Sequence, residues 1–440
     1  MNQYGTLFTV TIFGESHGPK IGIVIGGCPA GLALTPEHFL YDLERRKGGN
    51  QKGTTPRKEA DYPIIVSGVF NGFTTGAPIT ILFENANTRS GDYEKLRAIP
   101  RPGHADFVAH KKFGGFEDYR GGGHFSGRLT TCLVAIGVVA KLLLQHCGVS
   151  IRANIDSIRG MPSIQEGLQK AIAAKDSVGG VLSCTVTGVP IGWGQPFFNS
   201  LESEISKLVF AIPAIRGIEF GTGFAAAEML GSEHNDAIEN TQGTTTTNHA
   251  GGIVGGISNG NDLFFKVAVK PTSSTPKPQQ TLNWETGETD VLEVKGRHDL
   301  CIALRVPPVL EAVTALALAD AALQMQAIPT VLPKQASSSH IVYHIVSKSV
   351  WETASLQETY TPEGFASEGF IHLCEKHQVA GVIQRYYVGV NDLLLLHIDA
   401  AHIAEHLRYE QSPTLYDWFP HLYNALPISA VNVVETLPNA

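Results

Sequence analysis

The run SGRLTTCLVAIGVVAKLLLQH (126–146) is too apolar to lie on a protein surface, and PPVLEAVTALALADAALQMQA (307–327) repeats the pattern. Apolar residues recur on every side of both segments, so each reads as a helix buried all round. Two such helices need a shell to cover them. Short strand-like runs supply it: TLFTVTIF, IGIVIGG, YPIIVSGVF (62–70) and APITILFE (77–84), broken by turns rich in Gly and Pro. TPEHFLYDLERRK (35–47) reads as a further helix, with Thr35 as N-cap and Pro36 at its first position. A Gly-broken strand shell around a few very apolar helices predicts an α+β layered domain. The most apolar core of the first helix, 132–144, contains Lys141 and is short for a bilayer span.

With 440 residues the chain is long enough for more than one domain. The stretch IPTVLPKQASSSH reads as a linker, and the composition changes after it: residues 340–440 hold 8 of the 17 histidines. From residue 334 onward there are 5 Lys+Arg against 11 Asp+Glu, leaving 28 against 30 in the first 333 residues. We therefore expect a domain over 1–330, a linker over 331–339 and a second domain over 340–440. The net charge of -8 argues against nucleic acid as a partner. The six cysteines lack C-x-x-C spacing, and no Lys or Arg precedes Lys20. Reduced thiols and a cytoplasmic protein with no membrane partner and no bound metal are the expectation.

Residues 14–18, GESHG, match the G-x-S-x-G of a hydrolase nucleophile elbow. An elbow needs a helix directly after the serine, whereas Pro19 and IGIVIGG follow Ser16 here. A serine hydrolase centred on Ser16 stays open as one alternative, and a tight turn that holds His17 as another. Other segments point elsewhere. RRKGGNQKGTTPRK (45–58) gathers Arg45, Arg46, Lys47, Lys52, Arg57 and Lys58 around a Gly-rich loop suited to a polyanion. RPGHAD (101–106) sets His104 on a turn beside Arg101 and Asp106, a candidate acid–base group. DYRGGGHFSGR (118–128) places three glycines, Ser126 and Arg128 before the apolar helix, a natural phosphate cradle. KPTSSTP (270–276) offers an ammonium and hydroxyls, and GRHD (296–299) sets Arg297, His298 and Asp299 in a row. DYRGGGHFSGR is not a Walker loop, since no G-K-[ST] follows, and the Gly-rich NHAGGIVGGISNG (248–260) does not match the dinucleotide fingerprint. Together these residues describe a site that binds polyanions and moves protons; a non-catalytic anion or nucleotide binder shares that description.

FGESHG, RPGHAD, DYRGGG, TNHAGG, GGIS, KPTSS and GRHD occur in the order found in chorismate synthases, and residues 5–327 resemble that family. The resemblance implies a β-α-β sandwich, usually a homotetramer, acting on a small-molecule substrate. The implied reaction is the anti 1,4-elimination of phosphate from 5-enolpyruvylshikimate 3-phosphate, with reduced FMN and with NADPH as a possible external reductant. It implies His17 by the leaving phosphate, His104 near the flavin ring and Asp299 at the flavin edge that receives the substrate proton. Arg45, Arg46, Lys52, Arg128 and Arg297 would bind substrate. His124, Phe125, Ser126, Pro213, Ala214, Gly255, Lys270, Pro271, Thr272, Ser273, Ser274 and Arg297 fall at flavin contacts. The text after GGG departs from the family's usual RSSAR: His124 stands for an arginine and Gly127 for an alanine. Lys52 stands where many members have Arg, and Pro213 where Asn is common.

IVYHIVSKSVWE, EGFIHLCEKHQV, DLLLLHID and DWFPHLYNALP resemble a family of uncharacterised bacterial domains, domain of unknown function 952. That resemblance implies a small α+β fold similar to ADP-ribosyltransferases and singles out His344, His372 and His421. A pocket of these three histidines and a structural role for each are both open. His402 and His406 have the i, i+4 spacing of helical zinc ligands, with no third ligand beside them.

Overall fold

The structure is a computed structural model that describes residues 2–48, 53–55, 59–86, 97–294, 298–333, 339–412 and 417–437. The chain divides into two compact units. Unit 1 comprises 1–32, 46–69 and 74–333; unit 2 comprises 33–45, 70–73 and 334–440. Residues 334–338 of the expected linker lie outside the described residues.

In unit 1 the two apolar segments form the helices Thr130–Gln145 and Pro307–Gln324, packed against each other. Gly137 sets how closely they approach, since a Cβ there would stand 2.2 Å from the Ala312 Cβ. One antiparallel sheet runs in the order Gln3–Tyr4, Thr9–Gly14, Lys20–Gly26, Ile79–Glu84, Ile64–Ser67. A second runs Ile215–Phe220, Leu263–Val269, Gly180–Thr187, Ser150–Ile158, also antiparallel. Helix Thr130–Gln145 touches strand Lys20–Gly26 of the first sheet and Ser150–Ile158 of the second, while Pro307–Gln324 lies on Ser150–Ile158. The helices thus form a middle layer, which explains why they carry apolar residues on all sides. With its preceding turn the first helix spans Gly127–Gln145, long and apolar enough by composition to cross a membrane, but it is spent inside this core. The buried Asp320 pins the amino-terminal loop, accepting N–H groups from Leu7 at 2.7 Å and Phe8 at 2.8 Å on Oδ1, and from Thr6 at 3.0 Å on Oδ2. All six cysteines are free.

In unit 2, Ile341–Ser347, Leu393–Asp399 and Val431–Thr436 form one three-stranded sheet. Ile371–His372, Trp418–Leu422 and Leu407–Gln411 form another. Val342, Trp351, Leu396, Trp418 and Leu422 anchor its core, against which Leu40 and Tyr41 also pack. The 35–47 segment starts as expected: Thr35 N–H bonds to His38 Nδ1 at 3.1 Å, and a 3-10 turn Pro36–Phe39 leads into the helix Leu40–Arg46. His402 and His406 do not share a helix, because Ala400–His402 is a single 3-10 turn that ends before His406. Their sequence spacing is therefore not a spacing on one face.

Candidate active site

GESHG sits between strands Thr9–Gly14 and Lys20–Gly26, which pair antiparallel with Gly14 opposite Ile21. Strand–turn–strand is not a nucleophile elbow. Ser16 is fully buried, and its Oγ has no partner among the described residues. The backbone of DYRGGG lies over this turn. Gly121, Gly122 and Gly123 all have positive φ. A Cβ on Gly121 would stand 2.8 Å from His17 Cε1 and 3.0 Å from Ser16 Oγ; one on Gly122 would stand 3.2 Å from His104 Nε2. Two consecutive glycines therefore let one turn of backbone rest on both histidines.

Beside this turn opens a cavity of about 800 Å³, in the range of pockets that hold cofactor-sized ligands. Eight Lys and Arg side chains line it against three carboxylates, in a chain whose net charge is -8. Arg46, His104, Asp299, His124, Phe125, Ser126, Arg128, Pro213 and Ala214 line it, as do Lys270 and Thr272 to Ser274.

Arg46 is buried, donates to Thr131 Oγ1 and leaves Nε without a partner among the described residues. Burial pushes its guanidinium down to about 9, with Asp61 opposing the shift, so it is still a cation at neutral pH. Asp299 accepts from Thr55 N–H at 2.8 Å and from Arg305 Nη1 at 2.9 Å. His124 donates from Nδ1 to the Gly14 carbonyl at 3.1 Å, tying the glycine turn to the strand before GESHG. Ser126 Oγ caps the next turn by accepting from Arg128 N–H at 3.3 Å. Ala214 holds a left-handed φ of 76°, a strained backbone for a residue with a Cβ. Its carbonyl accepts from Lys270 N–H at 2.9 Å, joining the two segments. Lys270 Nζ and Ser273 Oγ both donate to the Gly103 carbonyl, at 2.5 and 2.8 Å. Thr272 Oγ1 has no partner among the described residues.

Several expected site residues sit elsewhere. His17 is buried behind Gly121 and does not line the cavity. Arg45, next to Arg46 on the same short helix, points off its face: it pairs with Asp42 at 2.8 Å in unit 2 and lies over the Tyr41 ring. Arg128 touches the cavity, but its Nε, Nη1 and Nη2 all donate to protein acceptors, namely Asn85 Oδ1, the Asp61 carboxylate, Thr131 Oγ1 and the Glu84 carbonyl. These bonds hold its guanidinium in place at the edge of the cavity. Burial opposes the charge on Asp61, but Arg46 and Arg128 outweigh it and hold its pKa below the usual carboxylate value. Pro271 is not on the cavity wall, and Gly255 opens the two-residue turn between Ile253–Val254 and Ile257–Ser258, also off the wall. Lys52 and Arg297 lie outside the described residues. Sequence reasoning missed Asp61, Arg216 and Arg305, which line the cavity. Asp61 lies in an irregular segment, Arg216 in the strand Ile215–Phe220 and Arg305 at the end of the 3-10 turn Ile302–Arg305, each without a motif to mark it.

In unit 2 the three histidines do converge, with unequal roles. His344 is buried, with Nδ1 on the His372 carbonyl at 2.8 Å and Nε2 by the Tyr360 hydroxyl at 3.3 Å. Burial pushes it down to about 4, so it is neutral and satisfied in place. His372 and His421 face each other across paired strands, with ring centres 5.1 Å apart. Each has a carboxylate 2.7 Å away, Glu368 for His372 and Glu410 for His421. Phe370 stacks on His421 at 4.1 Å. Burial, with His372 nearby, holds His421 below its usual pKa despite Glu410.

Comparison with known proteins matches residues 8–323 to the family model described as Chorismate synthase and residues 345–434 to that described as Protein of unknown function (DUF952). A chorismate synthase of Chitinophaga pinensis is 68% identical over 320 residues, covering 73% of this chain and 96% of that protein. One of Dehalococcoides mccartyi is 44% identical over 360 residues, covering 75% and 99%. A solved crystal structure of a chorismate synthase aligns with a TM-score of 0.57 at 24% identity, covering 73% of this chain and 93% of that one, a likeness of fold.

Proposed function

The chain belongs to the chorismate synthase family, and from that premise we propose how unit 1 performs the family's reaction. The enzyme is a carbon–oxygen lyase of aromatic biosynthesis, converting 5-enolpyruvylshikimate 3-phosphate to chorismate and phosphate. The observation that supports our reading of the site is the cavity itself: large, glycine-bounded, strongly cationic and bearing His104 and Asp299. The substrate carries two carboxylates and a phosphate, and Arg46 with its unpartnered Nε is the side chain best disposed to take one of them.

The family requires a reduced flavin, and we propose FMN. The donor set fits an anionic cofactor, because Thr272 Oγ1 lacks a partner among the described residues, and Lys270 and Ser273 are already ordered on Gly103. Thr272 to Ser274, Lys270, Ala214 and Ser126 would hold it. When bound, a reduced flavin supplies electron density to the allylic C–O bond and a base for the ring proton. The protein's part is to bind, orient and place protons. His104 faces the cavity and would serve as the acid–base group for a flavin bound there, and Asp299, fixed by Arg305 and Thr55, would offer it a carboxylate. His17 sits behind Gly121, and its assignment to the leaving phosphate rests on the family resemblance. NADPH as external reductant, a homotetramer and a cytoplasmic location are likewise proposed from the family.

For unit 2 we propose the ADP-ribosyltransferase-like architecture of the resemblance, with His372 and His421 as its functional pair and His344 as a structural residue. Its role does not enter the elimination. The test is an anaerobic assay of the phosphorylated enolpyruvyl substrate with reduced FMN. We expect chorismate and phosphate in equal amounts, with activity lost in His104→Ala and unchanged in His372→Asn. Folded, flavin-bound protein that forms no chorismate overturns the reading.

A further inference from the structure

We propose that Asp106 is a positioning residue that fixes the tautomer of His104, and that Arg101 holds Asp106 for that task. The inference deepens, and rests on, the assignment of His104 as the acid–base group. Asp106 opens the helix Asp106–Phe113, where a carboxylate ordinarily faces the free N–H groups of the first turn. Here it turns back instead. Oδ2 accepts from Arg101 N at 3.1 Å and Arg101 Nε at 2.8 Å; Oδ1 accepts from Arg101 Nη2 at 2.8 Å and meets His104 Nδ1 at 2.5 Å. Burial opposes the charge on this carboxylate, but the Arg101 and His104 hydrogen bonds outweigh it and hold its pKa far below the usual range.

An ionised carboxylate only accepts hydrogen bonds, so the proton between the two side chains belongs to His104 Nδ1. Nε2 is left as the working nitrogen. It lies toward Gly122, where a Cβ would stand 3.2 Å away, and the φ of 81° at Gly122 disfavours any other residue there.

Arg101 gives the arrangement its sign. Its Nη2 lies 3.1 Å from His104 Nδ1 and 3.3 Å from Nε2; the approach to Nδ1, donor against donor, is tolerable because Asp106 Oδ1 takes a hydrogen from each, and the approach to Nε2 is that of a donor to a bare nitrogen. Without that carboxylate, Arg101 Nη2 would donate to a bare Nδ1 and drive the imidazole proton onto Nε2. Arg101 also reaches Ser274 Oγ through Nη1 at 3.3 Å, and Gly103 is held by Lys270 and Ser273. The unit Arg101–Asp106–His104 is therefore bolted to the 270–274 segment that the proposed cofactor would contact.

The test reads the tautomer directly, by nitrogen-15 NMR of the histidines in flavin-free full-length protein. Wild type should show His104 protonated on Nδ1, Asp106→Asn should show it on Nε2, and Asp106→Glu should restore Nδ1. In the elimination assay Asp106→Asn should lower kcat about 100-fold with KM changed less than about threefold, and Asp106→Glu should recover most of the rate. A wild-type tautomer and rate in Asp106→Asn overturn the proposal. Wild-type turnover in His104→Gln overturns the underlying assignment instead, and so separates the two failures. If Asp106→Asn does not fold, the proposal falls unless Asp106→Glu folds with Nδ1 protonated and substantial turnover.

Discussion

Both units set a histidine against a carboxylate, His104 with Asp106 in unit 1 and His372 with Glu368 in unit 2, yet the surroundings differ in kind. His104 stands at a cationic cavity, on a turn built around glycine, with another glycine's bare Cα close to its Nε2. His372 stands on an open strand, its side chain 63% exposed and its carboxylate 48% exposed. An ion pair in water is worth little, whereas one in a walled site fixes a proton. The difference teaches that chemistry here depends less on the dyad than on the backbone that brings a second wall close to it.

The sharpest way to break that contrast is to add one methyl group to each region. Gly122→Ala would place a Cβ 3.0 Å from His104 Cε1 at a φ of 81°, so turnover should fall at least about 100-fold. Gly369→Ala, at the same φ of 81° but with nothing within 4 Å, should cost unit 2 about 1 kcal/mol in melting experiments and leave elimination unchanged. Equal activity in the two variants would dissolve the distinction.

Carboxylates give the next test. Asp61 is buried with Arg128 and next to Arg46, so Asp61→Asn leaves buried cations uncompensated and should destabilise unit 1 by about 3 kcal/mol in denaturant titrations. Because its folded pKa lies below the unfolded value, its contribution is present above about pH 4 and fades as pH falls through the folded value. Glu410→Gln removes a partner that is 44% exposed and should cost unit 2 less than about 1 kcal/mol.

Histidine burial reverses the ranking. His344 is the buried one, depressed to about 4 from a usual 6.5. The unfolded chain binds its proton first as pH drops, so unit 2 should lose stability between about pH 6.5 and pH 4, by up to about 3 kcal/mol. His344→Gln should flatten that part of the curve, and an unchanged slope would show that the imidazole is not held neutral.

How much of this was legible follows from how local each signal is. The two apolar helices announced a middle layer because their burial is written into every turn of sequence. His104, Arg46, Asp299 and the 270–274 loop were legible through motifs that glycine and charge make conspicuous. Arg128 reaches the cavity as expected, but sequence could not show that Asp61 and Asn85 also hold its guanidinium. Arg45 misled because adjacent helical residues point about 100° apart. Gly255 owes its place to a hairpin turn, which uses glycine for the same positive φ as a ligand loop does. Asp61, Arg216 and Arg305 reach the cavity through long-range packing that no local pattern encodes.

The smallest effect tests the unit boundary, which also lay beyond local reading. Residues 33–45 lie within the stretch that matches the chorismate synthase model, yet they pack as part of unit 2. Tyr41 carries the contact: its hydroxyl donates to Asp417 Oδ1 at 3.2 Å, and its ring meets Tyr409 edge-on at 5.6 Å. Tyr41→Phe keeps the ring and removes the hydroxyl's bonds to Asp417 and, at 3.5 Å, to His377 Nε2, so unit 2 should lose about 1 kcal/mol in a melt followed by its own signals. Tyr41→Ala also removes the ring and should cost more, by a margin that reports how far Tyr41 belongs to that core. If neither variant moves the unit 2 transition, residues 33–45 belong energetically with unit 1, and the second unit begins only after residue 333.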